Sequence, residues 1–180
     1  MSELVFTPAL SSPELLAPPV LAAIEALNAS DPAAAAQIEV AEIDATLADT
    51  AEFCAHYEQP LEASANCIIV TGKRGETVSY AACMVLATTR ADVNGTVRRL
   101  LDARRASFTA MDDATALTGM EYGGITPLGL PAEWRLLVDS RIAELPRIII
   151  GAGIRGAKLF LPGAVLADLA HAEIIEGLAN

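Results

Sequence analysis

The sequence predicts an α+β domain in which short helices flank a central mixed, largely antiparallel sheet or partial barrel. Strand-like and helix-like segments alternate along the 180 residues, and hairpin signals connect neighbouring strands. The apolar fraction of 53% is enough for one sizeable core, whereas the length is short for two, so residues 1–180 are expected to form a single domain. Since only 4% of the residues are aromatic, the core is predicted to be aliphatic, and no base-stacking surface is expected.

Hydrophobic periodicity and turn residues define the elements of the first half. Residues 1–36 are predicted to be an acidic, helical lead-in, and Lys73-Arg74-Gly75-Glu76 to be the turn of a hairpin. The predicted elements are a helix over 20–28, a strand over 37–43, a helix from an Asp49 N-cap to Tyr57, and strands over 66–72 and 77–88.

The second half is predicted to alternate short helices with strands, up to a last strand and a closing helix. Val97, Leu100 and Leu101 recur at helical spacing in the most basic stretch of the chain. The predicted elements are a helix over 94–102, a helix capped by Asp112 or Asp113 and ending at Leu117, strands over 134–138, 147–150 and 158–161, and a helix over 162–169.

The net charge of −11 is distributed unevenly along the chain. Residues 1–72 contain eleven acidic side chains and no Lys or Arg, whereas residues 73–180 contain twelve of each sign. Phosphate contacts require cations, and this asymmetry allows one face to be locally positive. The candidate phosphate contacts are Lys73, Arg74, Arg98 and Arg99, with Arg104 and Arg105 nearby. Alternatively, these side chains form a solvated helix face and a hairpin tip.

Composition also bounds location and cofactors. No apolar run approaches the roughly 18 residues that span a bilayer, and the N-terminus lacks the basic region of a secretion signal. Three cysteines are too few for a disulfide scaffold, which suits a reducing, cytoplasmic setting. Only Cys54 and His56 lie close together in sequence, while a closed zinc site needs about four ligands. Neither a metal nor another cofactor is therefore expected.

Two familiar catalytic patterns are excluded by their context. Residues 151–156 read G-x-G-x-x-G after a strand, but a strand and a proline follow where a dinucleotide site needs a crossover helix. A serine hydrolase would need a nucleophile elbow, and the chain has no G-x-S-x-G. His56 and His171 are interpreted as helix-end and surface residues, and Cys67 as a buried thiol, since nothing basic adjoins it in sequence.

A loop rich in glycine and proline is the strongest remaining signal. It covers residues 118–131 and reads TGMEYGGITPLGLP. Glycine permits positive φ and close approach of a ligand, and proline removes conformational freedom, so the loop is predicted to be pre-shaped with exposed amides. Such amides can hold a carbonyl or a developing oxyanion without a charged side chain. A binding loop is therefore favoured over a turn with no further role.

Several separated segments resemble the YbaK/EbsC family, which contains free-standing Cys-tRNA(Pro) and Ala-tRNA(Pro) deacylases and the editing domain inserted in bacterial prolyl-tRNA synthetases. The matching segments are ADTAEFCAHY, ANCIIVTG, TTRADVNGTVRRLLDARRASFTAMDDATALTG, LTGMEYGGITPLGLP, WRLLVD and RIIIGAGIRGAKLFLP. The resemblance covers residues 37–178 and implies an editing-type deacylase that hydrolyses the ester of a mischarged tRNA in trans. The acceptor end of an aminoacyl-tRNA is the implied partner, and an aminoacyl-tRNA synthetase is a further candidate.

The resemblance also assigns site residues in two glycine loops. The backbone of the first loop is implied to position the aminoacyl ester and the terminal adenosine, and Thr126 within it is a candidate catalytic residue. The implied substrate-binding residues are Gly123, Gly124, Ile125, Pro127 and Gly129 of the first loop and Gly153, Arg155 and Gly156 of the second.

One departure from the family pattern bears directly on activity. These deacylases commonly carry a lysine where this chain has Asn66, and the acidic residue that the YbaK branch has after the second loop is Lys158 here. Asn66 can still hydrogen-bond an ester carbonyl, and Lys158 can supply positive charge from across the pocket. We therefore expect a deacylase that is weak or of altered specificity, with Asn66 and Lys158 as catalytic residues. The alternative is a catalytically silent module that binds an aminoacyl-tRNA end, a nucleotide or a synthetase.

Overall fold

Two sheets form the framework of the molecule in a computed structural model that describes residues 3–180. The strands are β1 (Thr7–Pro8), β2 (Glu39–Glu42), β3 (Ala65–Arg74), β4 (Thr77–Leu86), β5 (Arg105–Phe108), β6 (Arg135–Asp139), β7 (Ile148–Gly151), β8 (Ala157–Leu161) and β9 (Ala172–Ile175). The first sheet has the order β1-β2-β8-β7 with antiparallel neighbours, and the second has the order β5-β3-β4-β6-β9, in which β6 pairs in parallel with β4 and β9. This mixed, largely antiparallel arrangement confirms the predicted α+β class.

Short helices cover the two sheets. Prolines occupy the first turns of α1 and α2, where a missing N–H costs little, and Asp31 caps α2 by accepting a hydrogen bond from the Ala34 N–H at 3.0 Å. Within residues 3–180, no helix has both the length and the apolar character needed to cross a bilayer. The helices are α1 (Pro18–Ser30), α2 (Pro32–Ala35), α3 (Thr50–His56), α4 (Arg98–Leu100), α5 (Met111–Thr118), α6 (Ser140–Ala143) and α7 (Gly163–Ala167).

The main hydrophobic core is shared by both sheets and α1. Ile24 of α1 packs there with Leu159 of the four-stranded sheet and with Met84 and Leu136 of the five-stranded sheet, all fully buried. Burying a side chain of this size contributes about 1.5–3 kcal/mol. A separate cluster, which includes Phe53, holds α3 against the four-stranded sheet. The position of α3 is thereby fixed next to the start of β3.

The two sheets meet along a seam at the start of β3. An isolated parallel bridge joins Ser64, just before β3, to Ile149 in β7. The seam places the beginning of β3 beside β7, and the end of β7 pairs with the start of β8, where Lys158 lies, with α3 next to them.

Three short strands were absent from the sequence prediction, and one predicted strand was wrongly taken as the last. The strand over 158–161 is followed by β9, and residues 3–36 contribute β1 to a sheet in addition to helices. The missed strands β1, β5 and β9 have two to four residues and lie at sheet edges. Such segments are too short for an alternating pattern to stand out.

Three helix predictions also need correction. The helix predicted over 94–102 begins one residue earlier as a π-helical turn, Val93–Val97, before α4, because Asp92 caps it by accepting from the N–H groups of Gly95 and Thr96. Asp112 and Asp113 do not cap α5; they lie in its first turn, where carboxylates favour the helix dipole. The closing helix is shorter than predicted, since α7 ends at Ala167.

Candidate active site at the seam of the two sheets

A cavity of about 470 Å³ opens at the seam between the sheets. Its walls combine the start of β3, the N-terminal turn of α3, the ends of β5 and β7, and part of the first glycine loop. Lining residues lie within the segments 48–53, 64–69, 108–114, 122–125 and 149–151, together with Lys158. The cavity therefore gathers residues from across the chain, including Asn66 and Lys158.

Asn66 lies in this cavity with its side-chain amide oriented by a neighbour. Thr50, the first residue of α3, donates a hydrogen bond from its hydroxyl to Oδ1 of Asn66 at 2.8 Å. Since the oxygen is occupied, the amide NH₂ remains as the donor that Asn66 can offer to a ligand. Among the hydrogen bonds of the described residues, none uses this NH₂ group.

Lys158 provides a buried cation on another wall of the same cavity. Its side chain projects from β8 and is 6% exposed, and Nζ donates to the Ala48 carbonyl at 2.7 Å. Burial lowers the pKa of Lys158 from its ordinary value of 10.5 to about 8; Cys54 and Asp49 act in the opposite direction, and Arg155 reinforces the decrease. The ammonium is thus predominantly protonated at neutral pH and can act on a ligand as a point charge.

The first glycine loop contributes fewer free amides than its sequence suggests. The Gly124 N–H donates to the Glu121 carbonyl at 2.9 Å, and the Thr126 N–H points at the sulfur of Met120 at 3.5 Å. Gly123 and Ile125 line the cavity, and within residues 3–180 their N–H groups form no hydrogen bond. The prediction of exposed amides therefore applies to these two positions and is wrong for Gly124 and Thr126, because the loop bonds to itself.

The second glycine loop supports the first from behind. The Gly153 N–H donates to the Gly124 carbonyl at 2.7 Å, and a Cβ added to Gly124 would lie 2.6 Å from the backbone of Ile154. Real Cβ atoms do not approach backbone so closely, so only glycine fits at position 124. Gly153 lies outside the cavity lining and acts on it through this contact between backbones. Gly156 also lies outside the lining, and its carbonyl accepts a hydrogen bond from the Ile43 N–H at 2.9 Å.

Arg155 connects three segments of the chain at the edge of the seam cavity. Its guanidinium donates to the carbonyls of Ala45 and Tyr122, each at 3.2 Å, and lies 3.9 Å from the Asp49 carboxylate. With these partners engaged, Arg155 holds the loop before α3 against the first glycine loop.

Three residues of the first loop lie away from the cavity. Pro127 and Gly129 line a second cavity of about 650 Å³ between α1, α2 and α7. Thr126 is completely buried and lines neither the seam cavity nor this second one. Its hydroxyl has no hydrogen-bond partner among the described residues. The glycine loop is therefore divided, with residues 122, 123 and 125 lining the seam cavity and residues 127–130 lining the second cavity.

The predicted phosphate contacts do come together, at a distance from the cavity. The Arg104 N–H donates to the Lys73 carbonyl and the Ala103 N–H to the Arg98 carbonyl, so the hairpin tip and α4 adjoin. Arg74 forms an ion pair with Asp102. We call the resulting set of exposed cations the basic edge, and its members are Lys73, Arg74, Arg98, Arg99, Arg104 and Arg105.

The structure does not favour Cys67, His56 or His171 as a nucleophile or a general base. Cys67 lines the cavity, but burial raises the pKa of its thiol, which is therefore protonated at neutral pH. His56 and His171 are exposed and lie off the seam cavity. Within the described part of the chain, no group of His, Cys, Asp or Glu side chains is arranged to hold a metal ion.

Sequence reasoning missed several cavity residues, among them Thr50, Phe108 and Tyr122. Thr50 follows the predicted N-cap Asp49, and Tyr122 lies within the predicted glycine loop, so both were adjacent to signals that were recognised. Phe108 ends a strand that the sequence did not reveal.

Comparison with solved structures defines the class of fold. The hypothetical protein APE2540 superposes with a TM-score of 0.73 at 17% identity, covering 88% of this chain and 99% of its own. A candidate trans-editing enzyme for prolyl-tRNA synthetase superposes with a TM-score of 0.71 at 18% identity, covering 89% of this chain and 97% of its own. The fold is therefore that of the YbaK-like editing proteins.

The family follows from the sequence itself. The model of the aminoacyl-tRNA editing domain matches residues 44–169, more than two thirds of the chain. The protein belongs to the aminoacyl-tRNA editing domain family, and its function is of the editing type, which confirms the resemblance found in the sequence. No curated protein matches the sequence.

Proposed function

We propose that this protein hydrolyses the ester that joins an amino acid to the 3′ end of a mischarged tRNA, acting in trans. The observation that carries the proposal is the seam cavity, where the Asn66 amide and the Lys158 ammonium line the same space in a member of an editing family. An asparagine donor and a buried cation are suited to an ester carbonyl, whose oxygen gains negative charge as it reacts.

The reaction requires no protein nucleophile. Water adds to the ester carbonyl carbon, the bond from that carbon to the ribose oxygen breaks, and the products are a free amino acid and a ribose hydroxyl. The negative charge of the tetrahedral intermediate lies on the former carbonyl oxygen, within reach of donors fixed in advance. In this proposal Lys158 supplies the charge, and the Asn66 NH₂ and the N–H groups of Gly123 and Ile125 supply hydrogen bonds.

The other predicted substrate-binding residues are proposed to act by shaping the wall of the seam cavity. Gly124, Gly153 and Arg155 hold the first glycine loop in place through the contacts described above. Gly156 completes the turn of the second loop. Pro127 and Gly129 fix the far half of the first loop. Gly124, Gly153 and Arg155 need not touch the ester for their substitution to change the cavity.

The basic edge is proposed to contact phosphates of the acceptor stem. Asn66 and Lys73 belong to the same strand and are seven residues apart, which corresponds to about 23 Å along a strand. That separation allows the ester to enter the cavity while stem phosphates lie against the hairpin and α4.

A deacylation screen tests the proposal. tRNAs charged with Ala, Cys, Ser, Thr or Pro are incubated with the protein, and release of each amino acid is compared with buffer. We expect accelerated release from at least one of them. If none of the five charged tRNAs released its amino acid faster than in buffer, the proposed hydrolase activity would be contradicted. The Asn66→Lys variant is expected to be faster and Asn66→Ala slower. Equal rates for all three would mean that Asn66 does not contact the ester.

The second candidate function is a silent module that binds the aminoacyl-tRNA end without cleaving it. The observation that favours it is Asn66 itself, because an amide carries no charge where related deacylases commonly carry a lysine. Binding of aminoacyl-tRNA to the cavity without release of any amino acid would support this function over hydrolysis.

A further inference from the structure

Two aromatic side chains stand exposed at the mouth of the seam cavity. Phe108 is 64% exposed and Tyr122 is 53% exposed, and both line the cavity. No other aromatic side chain within residues 3–180 is more than half exposed. We call Phe108 and Tyr122 the aromatic rim. The protein therefore places rings in solvent at the mouth of the seam cavity, although aromatic residues are scarce in its composition.

The local structure holds both rings at the mouth. Phe108 is the last residue of β5, an edge strand, and pairs with Val70 of β3. Tyr122 precedes Gly123, and its carbonyl is fixed by the hydrogen bond from Arg155. Met111, which is 52% exposed, adds apolar surface to the same mouth. Side chains exposed to solvent contribute little to the stability of the hydrophobic core. A cluster of exposed apolar side chains around a cavity is therefore typical of a binding surface.

We infer that the aromatic rim stacks on the unpaired bases at the 3′ end of the tRNA while the ester lies in the cavity. This inference rests on the proposed function, because it takes aminoacyl-tRNA as the ligand. Every base has a π-face, so rings can grip a single strand whatever its sequence.

The position of the basic edge favours RNA over a protein as the occupant of the rim. Arg105 lies at the opposite end of β5 from Phe108, about 10 Å along the strand, and their side chains leave opposite faces of the same edge strand. Exposed rings and exposed cations along one sheet edge are a combination that binds a single-stranded nucleic acid, through stacking and phosphate contacts together. β5 itself carries one cation, Arg105, and no acidic side chain.

A fluorescent base at the 3′ end of the tRNA tests the stacking directly. The probe is an uncharged tRNA with 2-aminopurine in place of its terminal adenine, whose fluorescence falls when the base stacks. We expect quenching on binding to the full-length protein. Phe108→Ala and Tyr122→Ala should each raise Kd by about 5- to 100-fold and weaken the quenching. Phe108→Tyr and Tyr122→Phe keep a ring and should stay close to the wild-type protein.

Two controls separate stacking from a general loss of structure or charge. Ile174→Ala removes a side chain that is 44% exposed on β9, at the far edge of the same sheet, and should leave Kd unchanged. A tRNA lacking its terminal adenosine should bind the wild-type protein and Tyr122→Ala more nearly equally, because the base that stacks is missing. Phe108→Leu keeps apolar bulk without a ring and should lose quenching as Phe108→Ala does.

The outcomes distinguish failure of this inference from failure of the proposed function. Wild-type affinity and quenching in both alanine variants would overturn the inference that the aromatic rim stacks on tRNA bases. This result is expected if the surface binds a protein instead. Deacylation that is indifferent to both variants would also overturn it and leave the proposed function standing. Quenching that depends on both rings, without release of any amino acid, would support base stacking by the aromatic rim and contradict the proposed hydrolysis.

Discussion

The seam cavity and the basic edge share strand β3 but fix their functional groups in different ways. In the cavity, Lys158 is buried and bonded to a carbonyl, and the Asn66 amide is oriented by Thr50. At the basic edge the cations are exposed, and the ion pair between Arg74 and Asp102 is a surface pair of the kind that contributes about 0–1 kcal/mol. The contrast teaches that cavity substitutions should change turnover and stability, whereas edge substitutions should change affinity and its salt dependence.

The largest effect is expected from Lys158→Met. Methionine fills a similar volume but removes the cation, so the developing negative charge of the intermediate loses its strongest partner. We expect kcat to fall by about 100-fold, the usual scale for removing one such group. Single-turnover release of the amino acid measures this, with the spontaneous rate subtracted. Retention of the wild-type kcat would mean that Lys158 does not act on the ester.

The pH dependence of the same variant separates catalysis from folding. As pH rises through about 8, Lys158 loses its proton, so the rate enhancement over spontaneous hydrolysis should fall in the wild-type protein. Stability should change in the opposite sense. The unfolded chain holds this proton up to its ordinary pKa of 10.5, so the contribution of Lys158 to the free energy of unfolding rises between pH 8 and pH 10.5. Lys158→Met should show neither trend.

The contact between the glycine loops gives the next largest effect. In Gly124→Ala the new methyl group meets the Ile154 backbone, so the loops must separate, and we expect a loss of about 2 kcal/mol in the free energy of unfolding. Gly156→Ala is a matched control in the second loop, because no atom lies within 4 Å of its added Cβ. Equal stability of the two variants in urea would show that the loops are not closely packed.

Local pattern predicted most of the sheet framework but only part of the site. The hairpin of β3 and β4 and the glycine loops follow from residue type and spacing, because their chemistry is local. The hydrogen bond from Thr50 to Asn66 spans sixteen residues and depends on how α3 packs against β3, which no local pattern records. Composition predicted no base-stacking surface, and a count of aromatic residues carries no information on where Phe108 and Tyr122 lie.

The Thr50 hydroxyl tests whether orientation of Asn66 matters within the cavity. Thr50→Val removes the hydrogen bond to Oδ1 at nearly constant shape, so the amide loses its preferred direction. We expect kcat to fall about 5-fold, which corresponds to one hydrogen bond of about 1 kcal/mol, with KM little changed. Thr50→Ser keeps the hydroxyl and should restore turnover. A loss shared by Thr50→Ser would trace the effect to packing of α3 instead.

The smallest effect on turnover, and the clearest contrast with the cavity, is expected at the basic edge. Arg98→Ala and Arg99→Ala should leave kcat unchanged and weaken tRNA binding severalfold. For each lost phosphate contact, the slope of log K against log salt should become less steep by about 1, since fewer counterions are released. Arg147→Ala removes one positive charge from the other sheet and serves as the control. If all three variants lose affinity equally, binding follows net charge alone; if only the first two do, the basic edge contacts the acceptor stem.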